Sequence, residues 1–126
     1  MKYTNILFID DDEEDLQIFQ AALEQISTTI KYNYFTDARK ALEQLRLGSV
    51  TTQAIFLDLN MPSMNGHEFL AQLKQEEKLK DIPVIIFTTS SDSSIREMTL
   101  SMGAIDFLTK PNDFKDLIAL LTPFIF

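Results

Sequence analysis

A chain of 126 residues is long enough for one domain and too short for two full ones. Its 45% apolar content excludes a disordered chain, and its net charge of −8 argues against direct binding to nucleic acid or an anionic membrane. The absence of cysteine excludes disulfides and thiol chemistry, and the single histidine, His67, excludes a histidine-rich metal site. Neither a signal peptide nor an apolar run of membrane-spanning length is present in the sequence, so a cytoplasmic location is expected.

Apolar runs of strand length alternate along the chain with segments of helical period. Strands are predicted at residues 6–9, 30–34, 54–57, 84–87 and 105–108. Each is followed by a helix with an apolar stripe, for example Leu16, Phe19, Leu23 and Ile26 in the first helix and Ile95, Met98 and Met102 in the fourth. Five strand–helix units predict an α/β fold with a doubly wound parallel sheet. The second run is half polar and is predicted to be an edge strand, whereas the other four are predicted to be interior.

Open parallel sheets bind ligands beyond the carboxyl ends of their strands, so the residues just after each run are the candidates for function. Six acids, residues 10–15, follow the first run. Glu13, Glu14 and Asp15 are explained by the helix macrodipole, which stabilises each acid of a first turn by about 0.3–1 kcal/mol. Asp10 and Asp11 come earlier, at the exit of the strand, and are expected to point into the crevice.

Asp58 follows the third run directly and is expected to lie beside Asp10 and Asp11. Repulsion among these carboxylates raises a pKa unless a cation shares the site. Carboxylate and carbonyl oxygens without nitrogen or sulfur suit Mg²⁺, so the pattern predicts one Mg²⁺ ion here. The alternative is that Asp58 only caps the loop that follows it.

Thr88 follows the fourth run and Lys110 the fifth. Residues 91–94 are explained more simply as the start of a helix. A carboxylate acceptor, a hydroxyl donor, an ammonium group and a metal site converging on one crevice are typical of phosphoryl transfer, because the transition state spreads negative charge over three oxygens.

These residues lie in motifs at residues 9–11, 57–62 with Asn65 and Gly66, 83–88, 103–104 and 107–111. In order and spacing, the motifs resemble the receiver domain of two-component response regulators, from Asn5 to about Leu121. The resemblance implies a flavodoxin-like (βα)₅ fold with strand order 2-1-3-4-5. Residues 1–126 are therefore expected to form a single receiver domain without an output domain.

The resemblance also implies roles for individual residues. Asp58 would be the phosphoacceptor, and Mg²⁺ would be held by Asp11, Asp58 and the Asn60 main-chain carbonyl, with Asp10 acting through a metal-bound water. Thr88 and Lys110 would bind the phosphoryl oxygens. The Lys110–Pro111 bond is cis in the family and would aim Lys110 inward.

Four further positions are interpreted, three of them through the resemblance and one, His67, from its isolation in the sequence. Phe107 stands where the family keeps a switching aromatic that turns inward when Thr88 moves onto the phosphoryl group, although a core phenylalanine is an equal alternative. Asn60 and Ser90 match positions that tune the loss of the phosphoryl group. His67 is expected to be a surface residue without chemistry.

The sequence thus predicts a phosphoacceptor switch rather than an enzyme with an external substrate. A histidine kinase or histidine phosphotransfer protein would phosphorylate Asp58, and the signal would pass by contact with an unknown downstream protein, through the face of helix four, strand five and helix five. Nucleic acid and membranes are not expected as partners, and a monomer or weak dimer is expected.

Two other functions stay open at this point. One is a phosphatase of the haloacid dehalogenase type, against which Asn60 argues because those enzymes need an acid two residues after the nucleophile. The other is an interaction module that is never phosphorylated.

The apolar residues 124–126 are expected to be exposed, as a partner or dimer surface, with folding back onto the last helix as the alternative.

Overall fold

The computed structural model describes residues 2–126, which form five strands alternating with five helices. The strands are β1 (Asn5–Ile9), β2 (Lys31–Phe35), β3 (Ala54–Leu57), β4 (Val84–Thr88) and β5 (Asp106–Thr109). The helices are α1 (Glu13–Ile26), α2 (Ala38–Leu47), α3 (Gly66–Gln75), α4 (Ser93–Ser101) and α5 (Phe114–Ile125). The predicted order of elements is confirmed, with boundaries that differ by one residue at four of the five strands.

All neighbouring strands are parallel, and their order is β2-β1-β3-β4-β5. This order and the edge position of β2 confirm the predictions. The prediction that the fifth run is interior is wrong, since β5 is the opposite edge and has only β4 beside it. Ile105, which was predicted to begin this strand, precedes it and is 54% exposed.

Side chains alternate along the strands and build one core on each face of the sheet. Leu7 and Ile9 of β1 pack in the core under α2 and α3, whereas Ile6 and Phe8 pack in the core under α1 and α5. The Phe19 ring of α1 lies 4.3 Å from that of Phe8 between centroids, in the middle of the second core. Because all five strands run in the same direction, the residues that follow them emerge at the same end of the sheet.

Each helix begins at a polar side chain that accepts backbone N–H groups of the first turn, as N-caps do. These residues are Asp12, Asp37, Asn65, Asp92 and Asp113. Asp12 therefore has a structural role within the acidic run, and Glu13 and Glu14 lie exposed in the first turn of α1 as predicted. Asp10 and Asp11 remain outside the helix, at the end of β1.

The packing of α4 differs from the predicted stripe. Met98 is 47% exposed, and the fully buried residue of this helix is Thr99, whose hydroxyl donates to the main-chain oxygens of Ile95 and Arg96. An intrahelical hydrogen bond satisfies the threonine hydroxyl, which lets a polar residue take the buried position.

The C-terminal residues fold against the domain, contrary to the expectation of an exposed surface. Helix α5 continues through Pro123, Ile125 is fully buried, and the Phe124 ring packs at 5.4 Å from that of Phe56. The main-chain N–H of Lys2 donates to the Ile125 oxygen at 2.9 Å. Phe126 alone among these apolar residues is exposed, at 61%.

Candidate functional site

The carboxyl ends of β1, β3, β4 and β5 bring the predicted functional side chains to one edge of the sheet. Asp10 and Asp58 follow adjacent strands, and the Asp58 N–H donates to the Ile9 oxygen at 2.9 Å. Thr88 ends β4, and its main-chain oxygen accepts from the Lys110 N–H at 2.6 Å. Main-chain hydrogen bonds therefore fix the relative positions of the four residues.

Three carboxylates form the acidic part of this edge. Asp10, Asp11 and Asp58 each offer an oxygen, and these oxygens all lie within 4.8 Å of one another. Asp10 is fully buried and Asp58 is 5% exposed, whereas Asp11 is exposed to solvent. Such a set of hard oxygen donors, open on one side, fits a divalent cation such as Mg²⁺ that keeps several of its waters.

Burial and repulsion make the ionised form of Asp58 unfavourable. Desolvation is the larger cause and the charge of Asp10 the second, and together they raise the pKa of Asp58 to about 6 although Lys110 opposes the shift. Burial likewise raises the pKa of Asp10, against the hydrogen bond from Lys110. The metal-free site thus holds more negative charge than its surroundings stabilise.

Lys110 is the cation of the site, and its side chain is only 12% exposed. Its Nζ donates to Asp10 Oδ2 at 2.6 Å and to Asp15 Oδ2 at 2.7 Å, and it lies 3.8 Å from Asp58 Oδ1. Burial alone lowers the pKa of Lys110, but the hydrogen bonds to the two carboxylates outweigh it and raise the pKa. The ammonium group is therefore charged and close to Asp58.

The Lys110–Pro111 peptide bond is trans, as are the other peptide bonds of residues 2–126, so the cis bond expected from the resemblance is not present. The Lys110 side chain nevertheless points to the acidic cluster, because the end of β5 already places it beside Asp10.

Asp15 is the site residue that the sequence analysis did not identify. Its place in the first turn of α1 was explained by the helix macrodipole, and the structure adds the contact with Lys110. The only signal in the sequence is its place in the first turn of the helix that follows the first strand, which does not say which residue lies opposite it.

Thr88 is fully buried, and its hydroxyl has no hydrogen-bond partner among the described residues. A buried hydroxyl without a partner is costly and uncommon, so it indicates a place where an acceptor arrives. Phe107 of the neighbouring strand is 8% exposed and packs in the core under α2 and α3. This inward position agrees with both interpretations of Phe107, a switch and a core residue.

Gly66 sets the position of the backbone at Asp58. A Cβ atom at Gly66 would lie 2.5 Å from the Asp58 main-chain oxygen and 2.8 Å from the Leu59 Cα. The start of α3 can approach the loop that carries Asp58 this closely only because residue 66 has no side chain.

The other predicted positions lie around the cluster. Asn60 is exposed in the loop after β3, two residues beyond Asp58, and Ser90 lies beyond β4, where its main-chain oxygen accepts from Thr109 Oγ1 at 3.0 Å. His67 is not the plain surface residue that was expected, since it is partly buried and its Nε2 has no hydrogen-bond partner within residues 2–126.

An apolar hollow of about 270 Å³, lined in part by Ile18, Phe114 and Leu117, adjoins the Asp15–Lys110 pair.

The fold and this cluster define the receiver class of signalling proteins. Residues 6–122 match the family described as "Response regulator receiver domain", and the chain belongs to that family.

Similar proteins agree with this assignment. The chain is 33% identical over 116 residues to the probable methanogenesis regulatory protein FilR2 of Methanothrix harundinacea, covering 89% of this chain and 75% of that protein. It is 30% identical over 121 residues to response regulator Rcp1 of Synechocystis, covering 92% of this chain and 82% of Rcp1. Other relatives are longer: against RpfG of Xanthomonas campestris, a 36% identical match covers 85% of this chain and 28% of that protein.

Two solved structures share the fold closely. The phosphorylated cyanobacterial phytochrome response regulator RcpA superimposes with a TM-score of 0.87 and 25% identity, over 96% of this chain and 90% of that one. The Mn²⁺-bound form of Rcp1 gives a TM-score of 0.83 and 31% identity, over 95% and 90% of the two chains.

Within residues 2–126, no helix combines the length and the apolar character that crossing a membrane requires.

Proposed function

We propose that this chain is a phosphoacceptor switch, in which Asp58 accepts a phosphoryl group from a histidine kinase or histidine phosphotransfer protein. The main support is the position of Asp58: it is a buried carboxylate at a strand end, with a destabilised charge, 3.8 Å from the Lys110 ammonium group. Proteins with similar structures include one described as phosphorylated and one described as Mn²⁺-bound.

The proposed reaction is a direct displacement at phosphorus. An Asp58 oxygen forms the new bond while the bond from phosphorus to the donor's imidazole nitrogen breaks, and the imidazole leaves. Lys110 places positive charge beside the transferred oxygens, and the Thr88 hydroxyl donates to one of them. The partner protein supplies the donor, so the domain acts as a switch rather than as an enzyme with a free substrate.

One Mg²⁺ ion would be held by Asp11, Asp58 and the main-chain carbonyl of Asn60, and Asp10 would contact it through a water molecule. When bound, this ion would supply positive charge that offsets the crowded carboxylates and the negative charge that builds up on the transferred phosphoryl oxygens. Asn60 and Ser90, at the rim of the site, would tune how fast the phosphoryl group is lost.

The signal would leave the site through Thr88 and Phe107. Because the Thr88 hydroxyl has no protein partner, a phosphoryl oxygen offers it a hydrogen bond that the unphosphorylated state lacks. Movement of Thr88 would allow Phe107 to repack within its core and so change the surface formed by α4, β5 and α5, where Met98 and Ile105 are about half exposed. This surface would contact a downstream protein. We expect the chain to act in the cytoplasm, as a monomer or weak dimer.

The test is incubation with acetyl phosphate, with and without Mg²⁺, followed by intact-mass measurement. We expect a Mg²⁺-dependent gain of one phosphoryl group in the wild type and none in Asp58→Asn. Asp116→Asn, which changes an exposed carboxylate of α5, is the matched control and should behave as the wild type. No gain of mass in the wild type would contradict the proposal and favour an unphosphorylated interaction module. Steady release of phosphate from small phosphomonoesters, abolished by Asp58→Asn, would favour a phosphatase instead.

A further inference from the structure

Asp15 shares the Lys110 ammonium group with Asp10, although it lies outside the cluster of Asp10, Asp11 and Asp58. Its Oδ2 accepts from Lys110 Nζ at 2.7 Å, nearly as close as the 2.6 Å contact to Asp10. Asp58, the proposed acceptor, lies farther from the same nitrogen, at 3.8 Å. In this state Lys110 thus directs its hydrogen bonds to Asp10 and Asp15 and not to Asp58.

Lys110 does not need Asp15 in order to reach the site. Asp10, which is fully buried, already accepts a hydrogen bond from Nζ, and the Phe87 ring lies beneath Nζ at 5.8 Å from its centroid. The main-chain N–H of Lys110 is bound to the Thr88 oxygen at 2.6 Å. These contacts fix the direction of the side chain from β4 and β5, whereas Asp15 approaches from α1.

Asp15 competes with a phosphoryl group for the Lys110 ammonium group. An ammonium group has three N–H donors, and two of them are directed to carboxylates here, which leaves one for the phosphoryl oxygens. The Asp15 carboxylate also places one more negative charge beside a site in which phosphoryl transfer builds up negative charge. Its side chain is 32% exposed, so it can turn into solvent when Lys110 is drawn to another acceptor.

We propose that Asp15 is a positioning residue that acts through Lys110 as a brake on phosphorylation of Asp58. It retains the ammonium group on the α1 side of the crevice, and the phosphoryl group must displace this contact to bind Lys110 fully. This inference rests on the proposed function of Asp58.

The test compares initial rates of Mg²⁺-dependent phosphorylation by acetyl phosphate, in which an Asp58 oxygen bonds to phosphorus and acetate leaves. We expect Asp15→Asn to react about two- to five-fold faster than the wild type, the scale of one partly exposed ion pair. Asp15→Glu keeps the charge and should restore the slower rate. Glu14→Gln removes a charge from the neighbouring exposed position of α1 and should leave the rate unchanged.

A double variant shows whether Asp15 acts through Lys110. In a Lys110→Met background, Asp15→Asn should give no acceleration, because the shared donor is gone. A residue with a merely structural role would lower the rate and the stability together when replaced, and would not raise the rate.

The outcomes separate the two ideas. If the wild type is phosphorylated on Asp58 but Asp15→Asn reacts equally fast or more slowly, the brake is refuted and the phosphoacceptor function stands. If Glu14→Gln accelerates the reaction as much as Asp15→Asn, the effect is one of net charge and the brake is likewise refuted. If the wild type gains no phosphoryl group, both proposals fail.

Discussion

Replacement of Asp58 by asparagine should stabilise the metal-free protein at neutral pH. In the folded chain the pKa of this carboxyl group is raised from 3.8 to about 6, mainly because it is buried and next because Asp10 is close. A group that holds its proton more tightly in the folded state favours folding at low pH, and this contribution is lost as the pH rises through the folded pKa. Ionised Asp58 therefore opposes folding at neutral pH.

The size of the effect follows from the same shift. At about 1.4 kcal/mol for each factor of ten in the protonation equilibrium, the rise to about 6 corresponds to roughly 3 kcal/mol. This shift already includes the repulsion between Asp58 and Asp10 and the opposing attraction of Lys110, which asparagine loses together. We expect Asp58→Asn to raise the free energy of unfolding by about 2–3 kcal/mol near pH 7.5, and by little near pH 4, where the wild-type carboxyl group is protonated in the folded state.

Urea unfolding followed by far-ultraviolet circular dichroism across this pH range, with the metal removed by chelation, measures the difference directly. The exposed residue Glu97 of α4 offers a control, since Glu97→Gln should change the free energy by less than about 0.5 kcal/mol at every pH. Added Mg²⁺ should stabilise the wild type more than Asp58→Asn and so reduce the difference in free energy of unfolding between the two proteins. An Asp58→Asn protein that is no more stable than the wild type near pH 7.5, or a gain that does not vary with pH, would refute the reasoning.

Two further substitutions test the packing around the site and at the C-terminal end. Gly66→Ala should lower the unfolding free energy by about 1–3 kcal/mol and slow phosphorylation, because the new Cβ would push against the Asp58 backbone at 2.5 Å; normal stability and rate would contradict this close approach. Ile125→Ala should cost about 2–5 kcal/mol in urea unfolding, because Ile125 is fully buried. Phe126→Ala, at a 61% exposed residue, should change stability by less than about 0.5 kcal/mol, and equal effects of the two would contradict the described packing of α5.

The site residues at strand ends could be predicted because their placement follows from local rules. A buried parallel strand has a fixed direction, so Asp10, Asp58, Thr88 and Lys110 had to emerge at the same edge once the five strands were recognised. The structure brings these four together as expected. Their roles in phosphoryl transfer stay predictions that the experiments above address.

Several contacts of the helices were not predicted, because the local sequence does not show them. Asp15 and Lys110 are 95 residues apart in the sequence, and the local pattern around Asp15 fits an ordinary helix start. Thr99 was missed because the hydropathy of a threonine does not reveal that its hydroxyl is satisfied within the helix. The apolar residues 124–126 gave no sign that the N–H groups of Lys2 and Tyr3 would bind the end of α5.

The excess of negative charge at the edge of the sheet connects the stability of the fold with the proposed reaction. Within residues 2–126, Lys110 is the one cation that contacts Asp10, Asp15 and Asp58, and a single ammonium group cannot balance three carboxylates. A ligand that binds only the folded site and reduces this charge stabilises the folded chain by mass action. A divalent cation meets that condition before any phosphoryl group arrives. Asp58→Asn should therefore relieve the destabilisation of the metal-free fold, weaken the response to Mg²⁺ and remove the acceptor, because the Asp58 carboxylate contributes to all three properties.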